Sequence, residues 1–281
     1  MDGVVHDRPA AGQVGIDVKA NEVVAAVPRS RRAVLEDSAA ARDVRLVADP
    51  GVGVESDAGC ASRLACDETI RAGAVMWYGE PPLPWCSVGF TARDAAGQRF
   101  VYTAGHCNTG LGVGWGTGAS AIGPMSASLD AGAIDAATIQ VTNPSFAGAA
   151  GGEIYIEDGD ARTVPVTGVA TTLGDIVAGE TVCLAANFAA PDGGNDCGVV
   201  ATNSDATVRG MVRVDGVDTC GGDSGGGWYW LTSTGDRVAY GIHSRSDDGC
   251  HGDRGGSRSW FSAIPTVKSG FAPGLDVEVA P

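Results

Sequence analysis

The chain has 281 residues and a formal net charge of −15, with 44% hydrophobic and 19% charged residues. That is enough length and apolar content for one large folded domain or two compact ones, and it excludes a chain that is disordered throughout. The acidic balance argues against nucleic acid as a partner, and the lack of a run of 18 apolar residues argues against a membrane span.

The start, MDGVVHDRPAAG, has no basic stretch followed by an apolar run, so no signal peptide is read there. VGIDVKANEVVAAV (14–27) alternates as a strand–turn–strand with Ala-Asn at the turn. RRAVLEDSAAARDVRLV (31–47) has helical spacing, and a loop then runs to Cys60. A Cys60–Cys66 bridge would staple one short loop. Residues 1–68 therefore read as an N-terminal extension, and 69–281 as the main domain.

From residue 69 the chain turns to short apolar runs broken by Gly, Asn, Asp and Pro. Candidate strands are CSVGF (86–90), RFVYT (99–103), AATIQV (136–141), EIYIED (153–158), VRGMVRV (208–214), GGWYWL (226–231) and RVAYGIH (237–243). This spacing predicts an all-β barrel or sandwich. NPSFAGAAGG (143–152) can join two halves, about 69–145 and 150–281. A helix is expected only around 263–271, with Pro265 in its first turn.

The eight cysteines, at 60, 66, 86, 107, 183, 197, 220 and 250, form no CxxC pair. A zinc ribbon or thioredoxin-type redox motif is therefore not expected, and no metal or cofactor is. An even count suits four disulfides and a secreted, extracellular protein. The glycines of DTCGGDSGGG (218–227) are followed by no Lys and lack a GxxxxGK[ST] pattern, which removes a nucleotide-binding loop.

Three stretches carry chemistry together: FVYTAGHC (100–107), GAIDAATIQV (132–141) and DTCGGDSGGG. A nucleophilic serine needs a base to take its proton and an acid to fix the tautomer of that base. It also needs convergent N–H donors, which a glycine-rich turn provides. Asp130 competes with Asp135 for the acid, but Asp135 leads directly into a strand that would hold it rigid. His243 ends a strand and reads as a structural or surface histidine.

TAGHC and GDSGG in this order, with an Asp-led strand between, resemble the chymotrypsin-like serine proteases. The spacing is 29 residues from His106 to Asp135 and 89 more to Ser224, similar to the compact bacterial streptogrisin-like branch. CSVGF and the cysteine loop VCLAANFAAPDGGNDCG (182–198) resemble that branch too. The resemblance implies two six-stranded antiparallel β-barrels with a short C-terminal helix. It implies His106 as base, Asp135 as orienting acid, Ser224 as nucleophile, and the N–H groups of Gly222 and Ser224 as oxyanion hole, with Asp223 a buried acid shaping the loop. The implied disulfides are Cys86–Cys107, Cys183–Cys197 and Cys220–Cys250, with Cys60 and Cys66 left as the fourth pair. GIDVKANEVVAAV resembles the pro-segments of this branch, which help the protease fold and are later removed, so the extension reads as a zymogen segment, a folding aid or an inhibitor; the cysteine pair at 60 and 66, ahead of TIRAGAVMW, would equally keep it attached as a small structural appendage.

Asp218 falls where trypsins hold the acid of the primary specificity pocket, which implies Arg or Lys before the cleaved bond. Typical streptogrisins have EPGDSGG here, so the chain departs toward trypsins. GIHSRSDDGC (241–250) would form the opposite wall, with Ser244, Arg245 and Ser246 as substrate-binding candidates. Arg245 stands where trypsins have an aromatic residue and would neutralise Asp218 if it turned inward. Gly227 replaces the usual proline after GDSGG. The expected function is a secreted, monomeric serine endopeptidase acting on proteins or peptides. The alternative is a catalytically silent binding module on the same fold.

Overall fold

The computed structural model describes residues 13–40, 42–49, 69–79, 83–148, 151–156, 163–187, 195–217, 219–247 and 258–280. The N-terminal module is a three-stranded sheet: β1 (Gln13–Asp17) and β2 (Glu22–Pro28) form an antiparallel hairpin, and β3 (Val44–Asp49) runs parallel to β2. The parallel pairing needs a crossover, provided by α1 (Arg29–Ala40). The helical spacing expected over 31–47 thus ends early, and VRLV becomes strand. Asn21 takes a left-handed φ of 55° at the hairpin, which asparagine tolerates better than most residues.

The first half of the main domain contains β4 (Val75–Tyr78), β5 (Leu83–Ser87), β6 (Thr91–Arg93), β7 (Arg99–Thr103), β8 (Gly114–Thr117), β9 (Ser120–Ala131) and β10 (Ile134–Gln140). They form a half-barrel in the order β6-β7-β10-β9-β8-β4-β5. The β5–β6 connection bridges its two edges: the Val88 N–H donates to Ala74 and the Gly89 N–H to Tyr102, both at 2.8 Å. The linker carries a one-turn helix, α2 (Pro144–Ala147), started by the Asn143 side chain accepting from the Ser145 N–H at 3.0 Å.

The second half contains β11 (Glu153–Tyr155), β12 (Thr163–Pro165), β13 (Gly168–Val169), β14 (Thr181–Ala185), β15 (Asp196–Asp205), β16 (Met211–Asp215), β17 (Gly227–Leu231), β18 (Arg237–Ser246) and β19 (Arg258–Ala263). Six of these close into a ring, β18-β17-β14-β15-β16-β19, through the β18–β19 pairing. The protein is therefore all-β, with a closed six-stranded barrel and a half-barrel that together match the expected two-barrel architecture. The helix α3 (Ile264–Gly270) follows, and β20 (Asp276–Val277) returns to pair with β6 of the first half.

Strand alternation places the core. In β17, Trp228 and Trp230 face the second barrel's core with Val182, Leu184 and Phe261. Tyr229, between them, faces a middle cluster shared with Phe90, Tyr102 and Ala136 of the first half. The two halves thus pack across an apolar seam, and the candidate site lies where the loops of both meet.

Candidate active site

His106 sits in a one-turn 3₁₀ segment, Gly105–Cys107, directly after β7. The Cys86–Cys107 disulfide ties this turn to β5. Gly105 lets it press against the β9–β10 hairpin: a Cβ there would lie 2.2 Å from the Leu129 carbonyl oxygen. The turn thereby brings the His106 N–H to Asp135 Oδ1 at 2.8 Å and its Nδ1 to Asp135 Oδ2 at 2.7 Å.

Asp135 is the second residue of β10 and is completely buried. Its Oδ2 also accepts from the Ser244 hydroxyl at 2.5 Å, and its own N–H donates to the Ser262 hydroxyl at 2.7 Å. Burial alone would raise its pKa. The hydrogen bonds and charge of His106, with the hydrogen bond from the Ser244 hydroxyl, outweigh burial and hold it below the usual aspartate value. An ionised carboxylate only accepts, so Nδ1 must carry the proton. The Nε2 lone pair is then free for the Ser224 hydroxyl, 2.8 Å away. The imidazole is 37% exposed, so a substrate can reach it.

Ser224 lies in a loop held from both halves. Ser87 in β5 donates its N–H to the Ser224 carbonyl and its hydroxyl to the Gly222 carbonyl, each at 2.8 Å. Gly225, with φ +88°, donates its N–H to the His243 carbonyl at 2.9 Å, and a Cβ on it would meet Thr103 Oγ1 at 2.1 Å. Gly222 also has a positive φ, +106°. Among the described residues, neither the Gly222 nor the Ser224 N–H donates to a protein acceptor, so both are available to an oxyanion. Asp223 is completely buried and accepts from the Cys220 N–H at 2.7 Å.

The structure thus joins His106, Asp135, Ser224 and Gly222 in one constellation. The Cys183–Cys197 disulfide is present as well. Cys220 is disulfide-bonded, while Cys250, Cys60 and Cys66 lie outside the described residues, as does Asp218. Ser244 turns its hydroxyl to Asp135. Arg245 donates from Nε to Ser244 Oγ at 3.2 Å, with its Nη2 3.7 Å from Asp130 and 3.9 Å from Asp135. Ser246 ends β18, half-buried. Asp130 is a strand residue paired with Arg209 at 2.6 Å, where a loop was expected. His243 is interior, accepting from Trp228 Nε1 at 3.3 Å, and burial, then the nearby His106, push its pKa down to about 3. Sequence reasoning missed Ser87 and Ser262, both buried hydroxyls. Ser87 follows a cysteine assigned to a disulfide, which was the one local signal for it.

No family model and no curated protein matches the chain. Solved structures do. The chain is similar to Thermobifida fusca protease A, with 25% identity over 75% of this chain and 100% of that one, at a TM-score of 0.56. A Nocardiopsis protease matches at 25% identity over 75% of this chain and 99% of its own, with a TM-score of 0.55. A glutamic acid specific serine protease, described as using a histidine triad in substrate binding, matches at 25% identity over 74% and 100%, with a TM-score of 0.57.

Proposed function

We infer that this chain is a chymotrypsin-like serine protease, and that His106, Asp135 and Ser224 are its catalytic residues in an acyl-enzyme mechanism. The observation that carries this is the unbroken hydrogen-bonded line from Asp135 Oδ2 through His106 to Ser224 Oγ, with 2.7 Å and 2.8 Å links. His106 Nε2 takes the proton as Ser224 Oγ attacks the scissile carbonyl. Asp135 keeps the ring in that tautomer and stabilises the imidazolium that forms. The oxyanion develops against the Gly222 and Ser224 N–H groups. The imidazolium then gives its proton to the leaving amine, and a water activated by His106 releases the acyl group.

Protein or peptide substrates outside the cell fit the Cys86–Cys107 and Cys183–Cys197 disulfides and the extracellular reading of the cysteines. For the residue before the cleaved bond we propose Arg or Lys, held by Asp218. Arg245 supports this by its direction: its guanidinium is engaged with Ser244 Oγ and lies near Asp130 and Asp135. A fluorophosphonate probe should label the chain at Ser224 and fail on Ser224→Ala. A folded protein that takes no label would overturn the reading in favour of a silent binding module. Arginyl, glutamyl and phenylalanyl reporter peptides then decide the pocket, with arginyl cleavage expected to lead and to be lost in Asp218→Ser.

A further inference from the structure

The β1–β2 turn sets two charged side chains against the second barrel, Asp17 buried and Lys19 with its side chain 44% exposed. Asp17 is 3% exposed and accepts from the Ala20 and Ser233 N–H groups, both at 2.9 Å. Lys19 donates from Nζ to the Asp175 carbonyl at 2.8 Å, and lies 4.5 Å over the Trp230 ring and 3.6 Å from Glu180 Oε1. Beneath them Val24 and Val47 of the module share an apolar cluster with Leu231 of the barrel.

Glu180 explains why a lysine is needed there. The residue is completely buried. Its Oε2 accepts from the Tyr240 hydroxyl at 2.7 Å and the Val177 N–H at 3.1 Å. Its Oε1 is buried with no hydrogen-bond donor, and faces the Lys19 ammonium. A buried carboxylate stripped of its counter-charge is strongly destabilising. Burial pushes the Glu180 pKa up, opposed by the Tyr240 and Val177 hydrogen bonds and by the Lys19 charge, so the module supplies the cation that favours its ionised form.

The place of this socket matters as much as its chemistry. Ser233 lies beyond one end of β17 and Ser224 before the other, and the five-residue strand between spans about 13 Å. With the module seated, the His106 side chain is still 37% exposed and still bonded to Ser224.

We propose that Asp175, Glu180, Trp230 and Tyr240 form a lysine socket whose occupant is Lys19 of the chain's own N-terminal module, and that the docked module leaves the catalytic serine open. The module is then a stabilising part of the working enzyme and not its inhibitor. The second half of this statement rests on the protease reading; the socket does not.

Two measurements on the full chain test the two halves separately. Hydrogen exchange of backbone amides in 13–28 should rise at least 10-fold in Lys19→Met and return to the wild-type rate in Lys19→Arg. Unchanged exchange in Lys19→Met overturns the socket. Fluorophosphonate labelling, followed by mass, should tag the uncleaved chain within 2-fold of the rate for Lys19→Met and for any shortened species. A labelling rate at least 10-fold lower for the uncleaved chain would show that the module blocks the site. If no species takes the label, the protease reading fails and the open-site half falls with it, while the exchange result for the socket stands.

Discussion

Asp135 holds its charge where water cannot reach, and three donors make that tolerable: the His106 N–H and Nδ1 and the Ser244 hydroxyl. Asp135→Asn turns the donor pattern around and lets Nδ1 lose its proton-bearing role. It is expected to cut kcat by roughly 10⁴-fold with the circular dichroism spectrum unchanged. Ser244→Ala removes one hydrogen bond to a charged group, so about a 10- to 100-fold loss is expected in kcat/KM. His243 sets a stability effect of its own. Its folded pKa of about 3 lies below the ordinary 6.5, so the folded state refuses a proton that the unfolded chain accepts. Stability is therefore complete above pH 6.5 and falls as pH drops from there toward 3, by at most about 1.4 kcal/mol per unit. Asp135, with its lowered pKa, acts in the same direction below its own ordinary value. Urea unfolding from pH 7 to 4 should show this slope, flattened in His243→Leu.

Asp135 stands in strand β10, while His106 and Ser224 are borne by loops, and each loop is fixed by something rigid. Gly225→Ala would combine a Cβ 2.1 Å from Thr103 Oγ1 with a φ of +88°. A loss of roughly 2–4 kcal/mol in unfolding free energy is expected, together with loss of activity as Ser224 moves. Opening Cys86–Cys107 by double serine substitution frees a loop of separation 21 and should cost about 3 kcal/mol, read from the same unfolding curves. His106 and Ser224 were legible because a short glycine-bearing sequence announces each. Strands rich in apolar residues were legible too: RFVYT is β7 to the residue. The long β9 and β15 were not, since SAIGPMSASLDA and DCGVVATNSD mix Gly, Pro, Ser and Asp with apolar positions and their pairing comes from neighbours distant in sequence. Ser87, Ser262 and the Lys19–Glu180 contact were hidden for the same reason: each joins segments far apart in the chain.

The molecule carries −15 over its whole length, which biases encounters toward cationic peptides. The kcat/KM for a lysine-rich peptide should fall several-fold between low and high salt while that for a neutral peptide holds, because exposed charges are screened. The chain's last residues tie its parts together. Beyond β20, the Glu278 N–H donates to Thr91 and the Ala280 N–H to Val166, both at 2.9 Å, so the tail is stitched to both halves. The Glu278 carboxylate accepts from Arg93 at 2.5 Å and from Arg99 at 3.0 Å, the latter guanidinium almost wholly enclosed. These contacts add to the apolar seam and to the Ser87 hydrogen bonds that already join the two halves. A chain stopped at Leu275 loses both stitches and the Glu278 carboxylate together, which would leave the Arg99 guanidinium enclosed without its counter-charge, and it is expected to unfold at a lower urea concentration than the full one.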